Sequence, residues 1–525
     1  MKSIKKRYYI LSLGLLLALI ALDIVLSYAP RPMASDYQRT PSYAITTTET
    51  TPLAQAIAAD AAAHPGQSGV VLINKGEDAL FKRLALIASA QKTLDIQSYM
   101  VDDDNTGKLV LESILEAADR GVRVRVLIDD LNIRGRDHIW ALLNAHANIE
   151  MRIFNPFATH DESIATRIAD AVSRLGHFNK RMHNKSMIVD NRVAIAGGRN
   201  MGDVYFDASS DFNFHDLDVL LAGPVAGKLS QSFDKYWNAP EAFPLTLLLP
   251  PRDSEKEVAI MRATLKQHWQ DELHRRTSVQ IVPMASQLGQ GSLQLIWADV
   301  ELAADSPTKI DTPKQDVESK PAAALDDIAA TAQKEFIIVS PYFVPGQQGE
   351  EGIRNIIKRG AKVKVLTNSL ASTDAAAPHI GYRAYRQQLV QDGVSLYEMK
   401  PVSGQRHRSH RFSSSSRSSL HAKIYIVDRR DLMIGSFNLD PRSVNLNTEM
   451  VLTIHSPQLA EQVIGIFDNA IAPASSFHIV IHNGQLEWIT EDNGKQRVYT
   501  SEPEAGFLRS IEAAFLGLFP IQGEL

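Results

Sequence analysis

One short pattern occurs twice in this chain. Arg181-Met-His-Asn-Lys-Ser-Met-Ile-Val-Asp190 is matched by Leu420-His-Ala-Lys-Ile-Tyr-Ile-Val-Asp428. Each copy has a His, a Lys two residues on, and an Asp five residues after the Lys. At the same distance beyond each Asp come a small pair, one further residue and an Asn: Gly197-Gly-Arg-Asn200 and Gly435-Ser-Phe-Asn438. A single short motif is weak evidence, but two copies with the same downstream spacing are strong. The elements around the motifs repeat as well. A duplicated chain of this kind folds as two similar halves, with a pseudo-two-fold site where they meet.

The spacing has a chemical reading. His and Lys two apart on a strand point to one face. An imidazole beside an ammonium suits an anionic phosphate, since one can attack it and the other neutralise it. The runs Ile188-Val189 and Ile424-Tyr-Ile-Val427 read as the buried body of that strand. The small pair before each Asn lets backbone come close to a bound oxyanion. Asp190 and Asp428 stand at odd spacing from their Lys, so they face the other way and are expected to hold the strand.

A length of 525 residues calls for two or three domains. Hydrophobic content of 44% and charged content of 22% are ordinary for globular chains. A formal charge of −5 leaves no general basic footprint, which argues against a dedicated nucleic-acid binder. The absence of Cys excludes disulfides, thiolate metal sites and Cys nucleophiles. No cluster has metal-ligand spacing. The positive charge the site needs is already supplied by Lys185 and Lys423, so neither a metal nor a cofactor is expected.

In chain order, Lys2, Lys5, Lys6 and Arg7 precede a nearly uncharged apolar run from Tyr8 to Ala29, long enough for one membrane span. The basic cluster places that end in the cytoplasm and the bulk of the chain on the far side. A cleaved signal peptide is the rival reading, but Pro30 would hinder cleavage after Ala29. The expected divisions are an anchor (1–29), a Pro- and Thr-rich tether ending in a short helix (30–65), a first lobe (66–245), a helical connector (246–278) and a second lobe (279–525). Strands at 69–74, 94–99 and 122–128 alternate with helices at 79–90 and 107–120, which implies a parallel or mixed sheet. The second lobe repeats this order at 335–342, 352–359 and 361–366. Residues 305–324 read as a solvated loop or a lid. The Ser- and Arg-rich run 405–419 reads as a mobile loop or an anionic-headgroup receiver. An amphipathic helix is expected at 504–519.

The paired motifs resemble the signature of the phospholipase D superfamily. The stretch Ile434-Gly-Ser-Phe-Asn-Leu-Asp-Pro-Arg-Ser443 with Leu446-Asn-Thr-Glu449 is the most specific part. Arg181-Met-His-Asn-Lys185, Gly197-Gly-Arg-Asn-Met-Gly-Asp-Val-Tyr-Phe206 and the ending Phe519-Pro-Ile-Gln-Gly-Glu-Leu525 support it. Within the superfamily the chain most resembles bacterial cardiolipin synthases of the C type, over essentially everything after the tether. The run 405–419 and the long anchor depart from that pattern.

The resemblance implies an α/β fold: two phospholipase D-like lobes, each a mixed sheet flanked by helices, related by pseudo-two-fold symmetry, behind an N-terminal transmembrane helix. It implies catalytic residues His183, Lys185, Asp190, His421, Lys423 and Asp428, with His183 as nucleophile and His421 as general acid and then base. Asn200 and Asn438 would bind substrate oxygens. Glu449 and Asp216 are candidates to orient the histidines, with Asp218 competing for the place of Asp216. The expected partners are phospholipid substrates and the inner membrane of a bacterium, with the catalytic body periplasmic and no nucleic acid. The leading activity is transfer of a phosphatidyl group from phosphatidylglycerol and a second phospholipid to make cardiolipin. A phospholipase D that uses water as acceptor has the same motif residues. A nuclease and a membrane-tethered binding protein with a dead site are weaker readings, the first for want of basic charge and the second because both His/Lys pairs are intact.

Overall fold

The computed structural model describes residues 39–130, 137–156, 180–249, 254–275, 280–401 and 418–505. The first half contains β1 (Ser68–Ile73), β2 (Thr93–Ser98), β3 (Arg123–Asp129), β4 (Ile149–Phe154), β5 (Ser186–Val189), β6 (Val193–Gly197), β7 (Asn213–His215), β8 (Asp218–Ala222) and β9 (Ala242–Pro244). The second contains β10 (Ile296–Ala304), β11 (Glu335–Val339), β12 (Lys362–Asn368), β13 (Ser395–Met399), β14 (Ser418–Leu420), β15 (Ile424–Val427), β16 (Asp431–Gly435) and β17 (Met450–His455). β18 (Ser476–His482), β19 (Gln485–Asp492) and β20 (Lys495–Tyr499) follow.

β1 and β10 pair antiparallel, Gly69 opposite Trp297, and this joint fuses the halves into one 18-stranded sheet. Outward from β1 the order is β8, β6, β5, β2, β3, β4, β9. Outward from β10 it is β17, β16, β15, β11, β12, β13, β18. The two lists match strand for strand, with β2–β3–β4 and β11–β12–β13 as the parallel parts. The helices between those strands supply the crossovers that parallel pairing needs. Asn105–Asp119 is one, capped by the Asp104 carboxylate, which accepts from Gly107 N–H at 2.9 Å. The duplication read from the motifs is therefore a duplication of sheet topology.

The motif aspartates have one geometry in both halves. Asp190 and Asn191 both have φ of 53°, and Asp428 and Arg429 have 53° and 57°, so each pair makes the left-handed corner of the three-residue loop joining β5 to β6 or β15 to β16. Asp190 accepts from the N–H groups of Lys92 (2.7 Å), Thr93 (2.9 Å) and Gln91 (3.1 Å). Asp428 accepts from Lys334 (2.7 Å), Glu335 (2.9 Å) and Gln333 (3.0 Å). Each carboxylate thus fastens the hairpin to the start of the neighbouring strand, β2 or β11.

Two segments differ from expectation. Residues 39–48, expected as a free tether, lie along the first lobe. The guanidinium groups of Arg152, Arg125 and Arg123 donate to the carbonyls of Thr40, Ser42 and Tyr43, each at 2.8–2.9 Å. The main-chain N–H groups of Ser42 and Ala44 donate to the side chains of Asn238 and Asp234. The short helix after it is present, at Pro52–Ala63. The region 305–324 is a solvated loop only over 311–318, which are exposed or half-buried, and its ends are packed. Asp305 is buried, binds Lys309 at 2.6 Å and accepts the N–H of Glu449 at 3.0 Å, and a helix starts at Lys320. The connector is helical at Glu255–Arg275 and leans on the first lobe, where Arg262 pairs with Asp119 at 2.8 Å. The expected span 8–29, most of the run 405–419 and nearly all of the helix 504–519 lie outside the described residues. Among those described, no helix is long and apolar enough to cross a membrane.

Asp190→Ala should lower stability by about 3 kcal/mol, because it strands three N–H groups that lose a charged acceptor. Asp190→Asn keeps one acceptor oxygen and should cost less. Urea denaturation of both variants tests this, and equal losses would count against the hydrogen-bonding account.

Candidate active site

The site forms where each half lends a short strand to the other. The segment before β5 runs parallel to the one before β17: Thr448 N–H donates to Arg181 C=O and His183 N–H to Thr448 C=O, both at 2.9 Å. By symmetry, β14 runs parallel to β7, and His421 N–H donates to His215 C=O at 2.8 Å. Each motif His is thus registered on the strand of the opposite half. One residue beyond Thr448 and His215 stand Glu449 and Asp216, so the register delivers one carboxylate to each imidazole.

His183 Nδ1 lies 3.0 Å from Glu449 Oε1, and His421 Nδ1 lies 2.5 Å from Asp216 Oδ2. Both acids are fully buried while both imidazoles keep some exposure. A carboxylate can only accept, so each Nδ1 carries the proton and each Nε2 is left with a lone pair. Asp218, the rival acid, is committed elsewhere: it pairs with Arg83 at 2.9 Å and with Arg199 at 3.4 Å.

Lys185 and Lys423 are buried and donate to the main-chain carbonyls of their own motif histidines. Lys423 also lies 3.1 Å from His421 Nδ1. Each ammonium acts on both imidazoles, which places the two motifs around one cleft. Tyr99 meets His183 edge-on at 4.6 Å, and Tyr205 and Phe214 flank His421 at 5.4 and 4.9 Å. These aromatic walls were not singled out from sequence. Tyr205 lies inside the quoted stretch Gly197–Phe206, but nothing in its spacing marks it as facing a His in the other half.

Asn200 and Asn438 are both buried, and in each the amide oxygen has no donor among the described residues. Asn200 Nδ2 donates to the Tyr205 hydroxyl at 2.8 Å. The small pairs have a packing task as well. A Cβ on Gly198 would sit 2.2 Å from Asp216 Oδ1, and one on Gly435 2.2 Å from the Met450 carbonyl oxygen. They make room for the acid-bearing strand. Asp190 and Asp428 are not in the cleft, in keeping with their odd spacing.

Burial pushes His183 down, against the pull of Glu449. Burial and then the Lys423 ammonium push His421 down to about 4, with Asp216 opposing. Burial lowers Lys185 to about 8 and also lowers Lys423. Against burial, His421 and Lys423 hold Asp216 well below the usual carboxylate range, and His183 and Lys185 hold Glu449 low. At neutral pH the cleft therefore has two neutral imidazoles, two carboxylates and positive charge from the lysines.

The family of this chain follows from two comparisons. The model described as "Cardiolipin synthase, PLD-like domain" matches residues 84–237 and 325–471, one motif in each segment. Cardiolipin synthase C of Escherichia coli (strain K12) is 36% identical over 475 residues, covering 90% of this chain and 99% of that protein. The chain belongs to the cardiolipin synthase family of phospholipase D-like enzymes. Cardiolipin synthase B of Salmonella typhi is more distant, 25% identical over 386 residues and covering 74% of this chain and 76% of that protein. The fold is that of the crystal structure of phosphatidylserine synthase from Haemophilus influenzae Rd KW20, with a TM-score of 0.56, 15% identity and coverage of 90% of this chain and 100% of that one.

Protonation at the site should be visible in folding. His421 titrates near 6.5 when unfolded and near 4 when folded, so between those values the unfolded chain binds more protons. Stability should fall as pH drops through that window, and the fall should be shallower in His421→Gln. Denaturation midpoints at a series of pH values check the sign; a rise on acidification would contradict it.

Proposed function

We propose that this chain is a phospholipid phosphatidyltransferase that forms cardiolipin from phosphatidylglycerol and a second phospholipid. The crossed His–carboxylate pairs carry the reading. Each turns an Nε2 lone pair toward a cleft bearing two ammonium groups, the arrangement a phosphodiester anion requires. The likeness to a named cardiolipin synthase over nearly the whole chain supports the choice of substrate.

In the first step His183 Nε2 attacks the donor phosphorus, the bond to the leaving alcohol oxygen breaks, and His421 Nε2–H gives that oxygen a proton. In the second, the acceptor hydroxyl passes its proton to His421 and its oxygen displaces His183 from phosphorus. His421 has to be protonated for the first step although burial and the Lys423 ammonium favour its neutral form. The negative charge of the bound phosphodiester offsets the lysines and raises its proton affinity. Lys185 and Lys423 stabilise the non-bridging oxygens as charge builds on them. Interchanging the O and N of the Asn200 amide would let Tyr205 donate to the oxygen and turn the NH2 group toward the phosphate. Membrane attachment through a single span at residues 8–29, with the body on the periplasmic side, belongs to the same reading.

His183→Ala and His421→Ala should each reduce transfer by at least about 1,000-fold, the scale of losing a nucleophile or its acid. With phosphatidylglycerol radiolabelled in its phosphatidyl group, quenched wild type should carry label on His183 and His183→Ala should carry none. Lipid mass spectrometry in a host lacking its own synthases checks the product. Phosphatidic acid without cardiolipin would make the chain a hydrolase, and retained transfer in either alanine variant would sink the shared-site mechanism.

A further inference from the structure

The two halves share a strand order but not the length of every connection. Between β1 and the helix Gly76–Ala88 stand only Asn74 and Lys75; between β10 and the matching helix Lys320–Ala330 stand residues 305–319. The start of that longer connection packs behind the first catalytic pair. Pro307–Asp311 forms a 3-10 turn that brings Lys309 back to Asp305, at 2.6 Å, and both side chains are buried. Asp305 Oδ1 also accepts the Lys320 N–H at 2.9 Å, which ties the two ends of the connection together.

This ion pair closes a ring around Glu449. Asp305 Oδ2 accepts the Glu449 N–H, and Asp305 N–H donates to the Glu449 carbonyl, both at 3.0 Å. Lys309 Nζ donates to the Ser443 carbonyl at 2.9 Å. The Ser443 hydroxyl donates at 3.2 Å to Glu449 Oε1, the oxygen that lies 3.0 Å from His183 Nδ1. Glu449 is thus held at its main chain through Asp305 and at its carboxylate through Ser443, and Lys309 joins the two holds. The turn is fastened to the His183 strand as well: Lys180 Nζ donates to the carbonyls of Ile310 at 2.7 Å and Thr312 at 3.2 Å. The short connection of the first half leaves no length for such a turn. There Asp216 is fixed within its own half, its Oδ1 accepting the Leu217 N–H at 2.8 Å and its carbonyl accepting from Arg199. A buried ion pair adds little net stability over apolar residues of the same volume, because both charges lose their water. What this one supplies is a fixed direction for the Glu449 carboxylate.

We infer that Asp305 and Lys309 are positioning residues for the first catalytic pair: through Ser443 and the Glu449 main chain they fix the carboxylate that orients His183. The orientation of His183 stands on the ring itself; its use in phosphatidyl transfer rests on the reading proposed above.

Lys309→Met, which keeps the chain length and removes the charge, is compared with wild type in the full chain. Per folded enzyme, kcat for phosphatidyl transfer should fall about ten- to 100-fold with KM within about twofold, the scale on which a misplaced catalytic group acts. In [15N]histidine spectra the His183 ring, assigned by its loss in His183→Gln, should pass from the Nδ1–H tautomer to a mixture with Nε2–H. A kcat within about twofold of wild type, a loss carried by KM, or an unchanged His183 spectrum overturns the inference. Wild type that neither transfers nor releases a phosphatidyl group would overturn the phospholipid reading instead, and the histidine spectra would then decide the positioning role alone. Should Lys309→Met fail to fold, Ser443→Ala opens the same ring at the hydroxyl, leaves the ion pair whole, and carries the same expectations and the same refutations.

Discussion

Four main-chain hydrogen bonds hold this molecule's chemistry in place. They link Arg181 and His183 to Thr448, and His421 and Ala422 to His215, each bond running from one half to the other. Without them each imidazole would face its own lobe with no carboxylate behind it. Because the pairing is parallel and in register, the acid arrives one residue past the bond, buried, at the right depth for Nδ1. Neither half is a working unit alone, since each holds the His of one pair and the acid of the other. A β1–β10 sheet joint then makes the interface continuous with the core. Separating the halves would break main chain, core and site together.

Most of the site could be read in the sequence because duplication makes position meaningful. His183, Lys185, His421 and Lys423 follow from spacing alone, and the structural task of Asp190 and Asp428 follows from strand alternation. Glu449 and Asp216 were reachable only as candidates. Choosing Asp216 over Asp218 requires knowing that Gly197 pairs with Asp218 and Gly435 with Val451, and strand register of that kind is a tertiary fact. The aromatic walls were missed for the same reason: Tyr205 and Phe214 serve an imidazole from the other half. β10 was missed although Ala298-Asp-Val-Glu-Leu302 alternates apolar and acidic residues; its pairing with two edges, β1 and β17, is a tertiary fact. The docked segment 39–48 read as a tether because its composition is that of a linker; the arginines that hold it are scattered from 123 to 152.

The electrostatic design is economical in groups and sensitive to occupancy. Two lysines that press the imidazoles toward neutrality also attract the anion that reverses the effect. In the proposed mechanism, the protonation state needed for leaving-group departure thus depends on substrate being present. The two carboxylates stay charged throughout, because each is buried against cations rather than against apolar surface alone.

The fastening of residues 39–48 bears on how the enzyme meets its substrate. Under the span proposed for residues 8–29, only the nine residues 30–38 would separate the bilayer from Arg39, whose guanidinium donates to the Pro240 carbonyl. Fully stretched they would reach at most about 30 Å, at roughly 3.3 Å per residue. The body would then be leashed close to the lipid surface and held from one fixed corner of its first lobe. Its freedom would be that of a hinged flap rather than a tumbling balloon, restricting the angle at which the cleft addresses the headgroup plane before any lipid is bound.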